Sequence, residues 1–554
     1  MQLITITITF IVIFTTFYSY GSFISNKFFK NNETDIFFKI LIGYCLVGLI
    51  ALIIHFFFKI NNTISIIIIL VAIIFFIYNF SSINKKEYFI LLILIPLVSL
   101  LLFAYSDHAI DANMYHHPYV SYLKTEKIIF AIANIQFRFG HISFLQYVQS
   151  VLTNDYLSKI SLASINIIFF ICFIFFLLNK IFQTKSLNYS FLISVLIISF
   201  LLTKYARYRE YGNDLIPLLV CFYFFINIID PEKLNPFTNK NIFNYSFPFA
   251  AFMLTHKISF VFSSLIFLPM LNWTKFKLLW RVNYIYLLIF LVVLSLWLTK
   301  NYITTSCLVY PIEITCIKNS SFALGGISEP AKAAWLTEIW AKGFIDNPNW
   351  KNMNLNEYIE GFNWTSTWLK GHFIKILEII SPLLFIILIS TVYMAFKKKE
   401  YFGKKTKSKK LKIFKYLWFM IFLGLFIWFY KAPIFRYGSF YIISFVCISY
   451  VIILSYFYNL RENKNLIFFK TIVIMSLTFF IIKNGIRIYN SELKIFPKTE
   501  NIEHLKKINL KNKSDLSLYS VTNGVCYYSK TICSHETPES IRVLKFGSYF
   551  VIKN

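Results

Sequence analysis

Charged residues are scarce in this chain of 554 residues. They make up 15% of it, and the acidic ones are the scarcer, with 26 Asp and Glu against 55 Lys and Arg. A soluble protein of this size could not conceal the 57% of residues that are hydrophobic, so that class is excluded. Solenoid-type repeats are also absent. The first apolar run lacks a basic leading segment and a small-residue cleavage site, which argues against a cleaved signal peptide.

Long apolar runs fill the sequence instead. Runs of about 18 or more such residues predict transmembrane helices. They lie near 3–20, 35–58, 63–80, 88–105, 159–182, 188–203, 212–229, 283–299, 373–396, 413–430, 436–458 and 465–483. The run 245–271 is interrupted by Thr255-His256-Lys257, so it is either one span or two short helices meeting at a surface. We therefore predict an all-α polytopic membrane protein with about 13–14 transmembrane helices.

Clustered lysines predict the orientation. The segment Lys397–Lys412 holds nine Lys in sixteen residues, which places it in the cytoplasm. Anionic lipid headgroups account for such a loop, so the net charge of +29 does not call for nucleic acid. Counting spans outward from this segment gives a consistent alternation of cytoplasmic and outer loops only if 245–271 is two short helices. Both termini and the loops 106–158, 300–372 and 484–554 then face the periplasm of a bacterial inner membrane.

The eight cysteines divide into two groups. Four lie inside apolar runs and are expected to be packing residues: Cys45, Cys172, Cys221 and Cys447. The others form two close pairs on the side assigned to the oxidising periplasm. We predict the disulfides Cys307–Cys316 and Cys526–Cys533, with reduced pairs as the alternative.

The predicted spans and loops divide the chain into five parts. They are an N-terminal helical block (1–87), a membrane core with the outer loop 106–158 (88–300), a Trp-rich lid (301–372), C-terminal transmembrane helices (373–483) and an outer tail (484–554). Short apolar stretches at Ile128–Ile135 and Ile142–Leu152 predict periplasmic interfacial helices. Tryptophans favour headgroups, so we expect the lid to rest on the membrane. Strand-like alternation in the tail predicts a small α/β or β-rich unit.

The loop after the fourth run concentrates polar side chains. Asp111 and Tyr115 are four residues apart and share one face if the segment is helical. An Asp at a membrane–water boundary can act as a general base or as a ligand for a divalent cation. The alternatives are a helix cap or an ion pair with Lys124. His116 and His117 are adjacent and point in different directions, so they make a poor metal pair.

Three further clusters lie at the ends of apolar runs. Arg207 to Glu210 precede Asp214; Lys257 follows His256; and Arg436 stands in the segment Lys431–Gly438. Each cluster also has a simpler explanation. The first could be an internal Arg–Glu pair, the second a lysine that snorkels to the headgroups, and the third an arginine that contacts lipid phosphates. The span count puts all four clusters on one surface. Acids and cations together there suit a reaction on a phosphate-linked lipid.

With these residues the chain resembles the GT-C-type membrane glycosyltransferases. The resemblance places Asp111 as the essential acid of the first outer loop, Arg207 and Arg209 with Asp214 as a second acidic element, and Lys257 in a short helix pair. It implies a GT-C-like fold and a sugar donor linked to polyprenyl phosphate. One departure is that the outer loop follows the fourth helix here, not the first.

The chain is also similar to an uncharacterised family of bacterial multi-pass membrane proteins. The shared elements are D-x-x-x-Y-H (Asp111, Tyr115, His116), N-x-x-x-R-F-G (Asn134, Arg138, Phe139, Gly140), Y-P (Tyr310, Pro311) and A-P-x-x-R-F/Y-G (Ala432, Pro433, Arg436, Tyr437, Gly438), with a Cys pair in the tail. This resemblance spans roughly 100–554 and leaves the first helices outside.

The sequence thus predicts a glycosyltransferase acting at the periplasmic face in cell-envelope glycan, lipid or protein glycosylation. Asp111 would be the base, aided by Asp214. The substrate-binding residues would be Tyr115, His116, Arg138, Arg209, Lys257 and Arg436. Its partners would be the polyprenyl-phosphate-sugar and anionic lipids. The need for a divalent cation stays open. The alternatives are a flippase, a polymerase or ligase, and a non-enzymatic assembly subunit for lipid-linked polysaccharide.

Overall fold

Helices account for most of the computed structural model. It describes residues 2–28, 34–102, 111–141, 143–157, 161–205, 211–230, 240–271, 273–281, 283–317, 328–347, 354–396, 409–457, 466–490, 505–508, 516–521, 525–529, 531–535 and 541–553. The α-helices are α1 (Gln2–Phe28), α2 (Ile36–Phe57), α3 (Asn62–Asn79), α4 (Lys85–Leu102), α5 (His117–Thr125), α6 (Phe144–Leu152), α7 (Ser161–Gln183), α8 (Tyr189–Thr203), α9 (Leu215–Ile229), α10 (Lys240–Asn244), α11 (Ser246–His256), α12 (Trp273–Arg281), α13 (Tyr284–Thr305), α14 (Ser328–Ala341), α15 (Leu355–Ile359), α16 (Thr365–Trp368), α17 (Ile374–Phe396), α18 (Lys409–Lys431), α19 (Phe435–Phe457) and α20 (Leu466–Asn490). The 3-10 or π-helical segments are Phe80–Ser82, Ala112–His116, Ile132–Asn134, Phe137–His141, Ile258–Met270, Glu313–Thr315, Phe344–Asp346, Glu360–Phe362 and Leu369–Phe373.

The described part of the chain contains nine helices that are long and apolar enough to cross a membrane, so this is a multi-pass membrane protein. They are α1, α2, α3, α7, α13, α17 with the turns before it, α18, α19 and α20. Three shorter apolar helices join them, namely α8, α9 and Ile258–Met270. The predicted count was higher because it included α4, whose first turn carries three charged residues, and α11, which is only 11 residues long.

Polar side chains fix several helix ends. An Asp or Asn precedes α2, α3 and α8, and its side-chain oxygen accepts a backbone N–H of the first turn (Asp35, Asn61 and Asn188). Two lysines of α20 contact the carboxyl ends of other helices. The ammonium of Lys483 donates to the carbonyl of Thr203 at 2.7 Å, and that of Lys470 donates to Phe182 at 3.2 Å. Their charges therefore face helix carboxyl ends, where cations are favoured.

The first four helices share one apolar core with the rest of the bundle. Buried side chains of α1 to α4 belong to the same cluster as those of α6 to α9 and of α17 to α20. Helices α1 and α2 approach so closely that a Cβ at Gly43 would lie 1.8 Å from the carbonyl oxygen of Phe17. Only glycine fits there. Further along, α8 is buried along nearly its whole length, among α7, α9, α17, α19 and α20.

The predicted interfacial helices are not found as such. Ile128–Ile135 is mostly irregular, with one 3-10 turn, and its isoleucines are buried. Every residue of α6 is buried, among α2, α3, α5 and α7, so this helix exposes no face to an interface. Its polar groups find internal partners, as when the amide of Gln149 donates to the carbonyl of Leu162 at 2.6 Å. That pairing is what permits a helix of mixed polarity to lie inside.

The tail contains strands, as predicted. Strand β2 (Leu518–Ser520) lies between β1 (Lys506–Lys507), which is antiparallel to it, and β3 (Ile532–Ser534), which is parallel to it. The second sheet is an antiparallel hairpin of β4 (Arg542–Phe546) and β5 (Tyr549–Lys553). Helix α20 runs on to Asn490, and the residues described after it, from 505 to 553, form strands and irregular segments.

The tryptophans of the lid do not spread over a membrane surface. Trp364 and Trp368 are buried, with exposed fractions of 1% and 5%, and they pack against Phe429 at the end of α18. Trp340 of α14 is exposed. Trp350 lies outside the described residues. The aromatic side chains of the lid therefore fasten it to the bundle, and the expectation of headgroup contact is wrong for Trp364 and Trp368.

Candidate functional site

Four segments that are distant in sequence meet at one end of the helix bundle, which we call the site end. Asp111 precedes α5, Asp214 precedes α9, Lys257 follows α11, and Arg436 lies in the first turn of α19. The charges of all four act on the imidazole of His116. The sequence placed these clusters on one surface, and the structure brings them within electrostatic reach of one another.

Asp111 and Arg436 form an ion pair across 325 residues of sequence. The Nη1 atom of Arg436 lies 3.2 Å from Oδ2 of Asp111. The two side chains are 30% and 50% exposed for Arg436 and Asp111, so this pair is open to solvent. The alternative in which Asp111 pairs with Lys124 is wrong, because the ion pair that Asp111 forms is with Arg436.

Lys257 and Asp214 form the second ion pair, and it is more enclosed. The ammonium contacts Oδ1 of Asp214, and the side chains are only 18% and 10% exposed. Asp214 stands immediately before α9, where the helix amino terminus favours a negative charge. Lys257 therefore has a protein carboxylate as its partner at this depth, so snorkelling does not explain its position.

The ring of Tyr437 lies between the two cations. The Lys257 ammonium is 4.1 Å from the ring centroid, and the Arg436 guanidinium is 4.8 Å from it. The hydroxyl of Tyr437 also accepts a hydrogen bond from Nη2 of Arg436 at 2.9 Å. The Arg436 Nε atom is buried and has no hydrogen-bond partner among the described residues. Arg436 thus has donor capacity that its protein neighbours leave unused.

His116 is held as a neutral hydrogen-bond donor. Gln146 accepts the backbone N–H of Ser143 with its amide oxygen, so its amide nitrogen must donate to Nδ1 of His116, at 2.7 Å. The imidazole proton therefore resides on Nε2. Burial also holds the pKa of His116 well below its usual value, and it raises the pKa of Tyr115, with the charge of Asp111 adding to that rise. Both side chains stay neutral near pH 7.

A short helix pair places Lys257. As predicted, 245–271 folds into two short helices, with Lys257 as the single residue between α11 and Ile258–Met270. The imidazole of His256 donates from Nδ1 to the carbonyl of Phe252 and accepts from the hydroxyl of Tyr44 at 2.8 Å. Asn213 donates to the carbonyl of His256 at 3.2 Å. These contacts tie the end of α11 to α2 and to the segment that carries Asp214.

The connection between α18 and α19 places Arg436. The indole N–H of Trp428 donates to the carbonyl of Ile434 at 2.9 Å. That indole lies over Gly438, where a Cβ would approach it to 2.3 Å, so the glycine permits the close contact. The indole N–H of Trp368 donates to the carbonyl of Pro433 at 2.5 Å. The lid therefore holds the segment from which Arg436 projects.

Replacing Trp368 by Phe should loosen this segment. The change removes the indole N–H, leaves the Pro433 carbonyl without that donor, and costs about 1–3 kcal/mol. We expect a lower melting temperature in detergent and faster amide hydrogen exchange in residues 432–436. Trp340→Phe is the matched control, because Trp340 is exposed and should tolerate the change. Equal melting temperatures for the two variants would contradict this role of Trp368.

Arg138 lies on the neighbouring side of the site end. Its positive charge acts on His141, together with those of Lys257 and Lys300, although burial is the main reason that the pKa of His141 falls to about 4. The ring of Tyr310 packs against His141 at 4.9 Å between centroids. A Cβ at Gly140 would lie 2.6 Å from that ring. Two of the shared sequence elements therefore touch here.

Two disulfides are present, joining Cys307 to Cys316 and Cys526 to Cys533. The first closes the loop that carries Tyr310. The second closes a loop of the tail that contacts the segment after Asp111.

Two residues of the predicted site lie outside the described part of the chain, namely Arg207 and Arg209. Within the described residues, no group of three or more His, Cys, Asp and Glu side chains is arranged to hold a metal ion. Asp111 and Asp214 are each engaged by a cation instead.

Acid should destabilise the protein through its buried histidines. Burial lowers the pKa of His117 to about 3, whereas an unfolded histidine titrates near 6.5. Below pH 6.5 such a histidine is protonated in the unfolded chain but stays neutral in the folded chain. The free energy of unfolding therefore falls by about 1.4 kcal/mol per pH unit per such histidine. We expect His117→Gln to flatten the fall in melting temperature between pH 7 and pH 5. Each melting temperature is compared with that of the same protein at pH 8. If it falls as steeply for His117→Gln as for the wild type, this assignment is contradicted.

Sequence reasoning missed two contributors to the site. Tyr437 was noted only as a member of a shared element, although an aromatic ring directly after a candidate phosphate-binding Arg could have suggested a cation–π partner. Gln146 gave a clearer signal. It stands three residues after Ser143, and the two form a capping box at the start of α6. Its second contact, with His116, depends on the tertiary fold and left no sequence signal.

The fold and the site end define a mostly helical, multi-pass membrane protein with two acid–cation pairs at the ends of its helices. Residues 3–443 match the family described as a domain of unknown function (DUF8201). Because the match covers well over half of the 554 residues, the chain belongs to that family. The matched range includes the first four helices, which the sequence resemblance left outside, and all four charged site residues. No curated protein and no solved structure matches the chain.

Proposed function

We propose that this protein is a membrane glycosyltransferase of GT-C type, working at the periplasmic face of a bacterial inner membrane in cell-envelope glycosylation. It would move a sugar from a polyprenyl phosphate carrier to an acceptor hydroxyl. The observation that carries the proposal is the meeting of Asp111, Asp214, Lys257 and Arg436, from four separate segments, at helix ends. Ionisable residues at the boundary of a membrane bundle are costly and usually functional.

The charges of the site suit a reaction that releases phosphate. In the transfer, the bond between the sugar anomeric carbon and the phosphate oxygen breaks, and a bond to the acceptor oxygen forms. The phosphate leaves with the electron pair, and the acceptor proton passes to a base. Arg436 and Lys257 would stabilise the charge that grows on the leaving phosphate. Lys257 also offsets the negative charge of Asp214, which would otherwise repel a phosphate.

Asp111 has the exposure that a base requires, since half of its side chain is open to solvent. At rest its carboxylate is paired with Arg436, whose Nε donor is unused. An arriving phosphate competes for the same guanidinium and can bind it in a bidentate manner. The exchange would free Asp111 to accept the proton of the acceptor hydroxyl. The neutral His116 and Tyr115 would then supply hydrogen bonds to sugar or acceptor, and Arg138 would bind beyond them.

The lipid-linked glycans of a strain lacking this protein test the proposal. Mass spectrometry should find undecorated acceptor together with unused carrier-linked sugar. Wild-type protein should reverse this, and Asp111→Asn should fail to. The matched control is Glu313→Gln, because Glu313 is an exposed acid of the lid loop and should be dispensable. Carrier-linked sugar that accumulates only in the cytoplasmic leaflet would overturn the proposal in favour of a flippase.

A further inference from the structure

The disulfide-closed loop of the tail lies directly against the segment that carries Asp111. The backbone N–H of Tyr527 donates to the carbonyl of Asn113 at 3.1 Å. The backbone N–H of Ser529 donates to the hydroxyl of Ser121 at 3.2 Å. Between them, Tyr528 is buried in an apolar cluster with Ala112 and Val120. Three consecutive tail residues thus contact the first turns after Asp111.

The hairpin of the tail holds the far end of the same segment. Phe130 exchanges two backbone hydrogen bonds with β5, its N–H donating to Phe550 and its carbonyl accepting from Ile552, at 2.9 and 3.0 Å. The side-chain amide of Asn134 donates to the carbonyl of Ile552 at 2.8 Å. Residues 112–134 are therefore held by the tail at both ends.

The disulfide Cys526–Cys533 fixes the first of these contacts. Both cysteines are fully buried, and the ring they close contains Tyr527, Tyr528 and Ser529. The described tail residues form only two small sheets, of three and two strands, and one end of the loop belongs to β3 while its other end, at Cys526, is joined to that strand by the disulfide. A backbone donor in a closed ring can hold its acceptor more precisely than the same donor in an open chain.

We propose that the Cys526–Cys533 loop is a positioning element for Asp111 and that the working geometry of the site depends on this disulfide being closed. Tyr527 and Ser529 act through Asn113 and Ser121, without touching substrate. Opening the ring takes two electrons and two protons from a reductant and yields two thiols. The residues after Asp111 then lose their fixed partners, and the carboxylate loses its alignment. This inference rests on the proposed function for its consequence, but its structural part is tested without it.

Amide hydrogen exchange of the purified full chain in detergent measures the positioning directly. Cys526→Ser/Cys533→Ser should speed exchange in residues 112–121 at an unchanged global melting temperature. Cys307→Ser/Cys316→Ser is the matched control, and its effect should be confined to the loop 307–317 and to residues 137–141. Unchanged exchange in residues 112–121 of the first variant overturns the inference, whether or not any sugar transfer is found.

One further variant and a transfer assay guard against a general loss of folding. Ser121→Ala deletes the acceptor of the Ser529 N–H and leaves the disulfide intact, so it should speed exchange locally in the same direction. In a transfer assay, the tail variant should lose about tenfold or more in kcat through misplacement of the base, with no loss of carrier-phosphate affinity. An equal loss in affinity, or a melting temperature that falls with kcat, marks a merely structural role and overturns the positioning. If the wild type transfers no sugar, the proposed function falls, and the exchange result still decides the positioning.

Discussion

Asp111→Asn should lose sugar transfer by about 10²-fold or more while the protein stays folded. Asparagine keeps the size of the side chain and its place beside Arg436, but it cannot accept the proton of an acceptor hydroxyl. The half-exposed position of Asp111 means that the lost ion pair costs the fold about 1 kcal/mol or less. Activity and stability should therefore separate in this variant.

The assay is transfer by purified protein, with the melting temperature measured on the same sample. Glu313→Gln removes an exposed acid of the lid loop and should keep wild-type rates. Full transfer by Asp111→Asn would remove Asp111 from the mechanism. Such a result would leave the two ion pairs as structural features only.

Lys257→Met should be the most destabilising substitution at the site, at about 3–5 kcal/mol. It leaves the carboxylate of Asp214, whose side chain is only 10% exposed, without its lysine. Removing the charge as well, in Lys257→Met/Asp214→Asn, should restore most of the loss, because removing one partner of an enclosed ion pair costs more than removing both. Unfolding in detergent of the two single variants and the double variant gives the coupling energy.

The interpretation depends on whether the effects of the two substitutions are additive. If the double variant is as unstable as the sum of the two single variants, the pair is not coupled, and Lys257 has another role. Asp111→Asn/Arg436→Gln serves as the comparison. That pair is more exposed, so its coupling energy should be smaller, at about 1 kcal/mol or less.

The sequence predicted those parts of the fold that depend on local pattern. Long apolar runs gave the spanning helices, and Lys257 within an apolar run correctly indicated two short helices. The failures concern contacts between distant segments. The expectation that α6 would lie at an interface overlooked the internal partners that bury its glutamines. The buried Trp364 and Trp368 meet Phe429, more than sixty residues away, which no local pattern reveals.

The candidate site was predicted in the same partial way. Asp111, Asp214, Lys257 and Arg436 could be chosen because acids and cations cluster at the ends of apolar runs that the span count places on one surface. Their pairing could not, since Arg436 and Asp111 are 325 residues apart. Lys124 was the nearer partner in sequence, but it bonds to the carbonyl of Ser150 instead. The hydrogen bonds of the tail to Asn113 and Ser121 likewise follow from the fold alone.

The affinity of a polyprenyl phosphate for wild-type protein, Asp111→Asn and Arg436→Gln is the most direct test of the central claim. If phosphate and Asp111 compete for Arg436, Asp111→Asn should bind the carrier about two- to fivefold more tightly than wild type while losing transfer. Arg436→Gln should bind it more weakly. Carrier affinity that falls in Asp111→Asn, or stays unchanged in Arg436→Gln, would contradict the exchange of partners on which the proposed reaction rests.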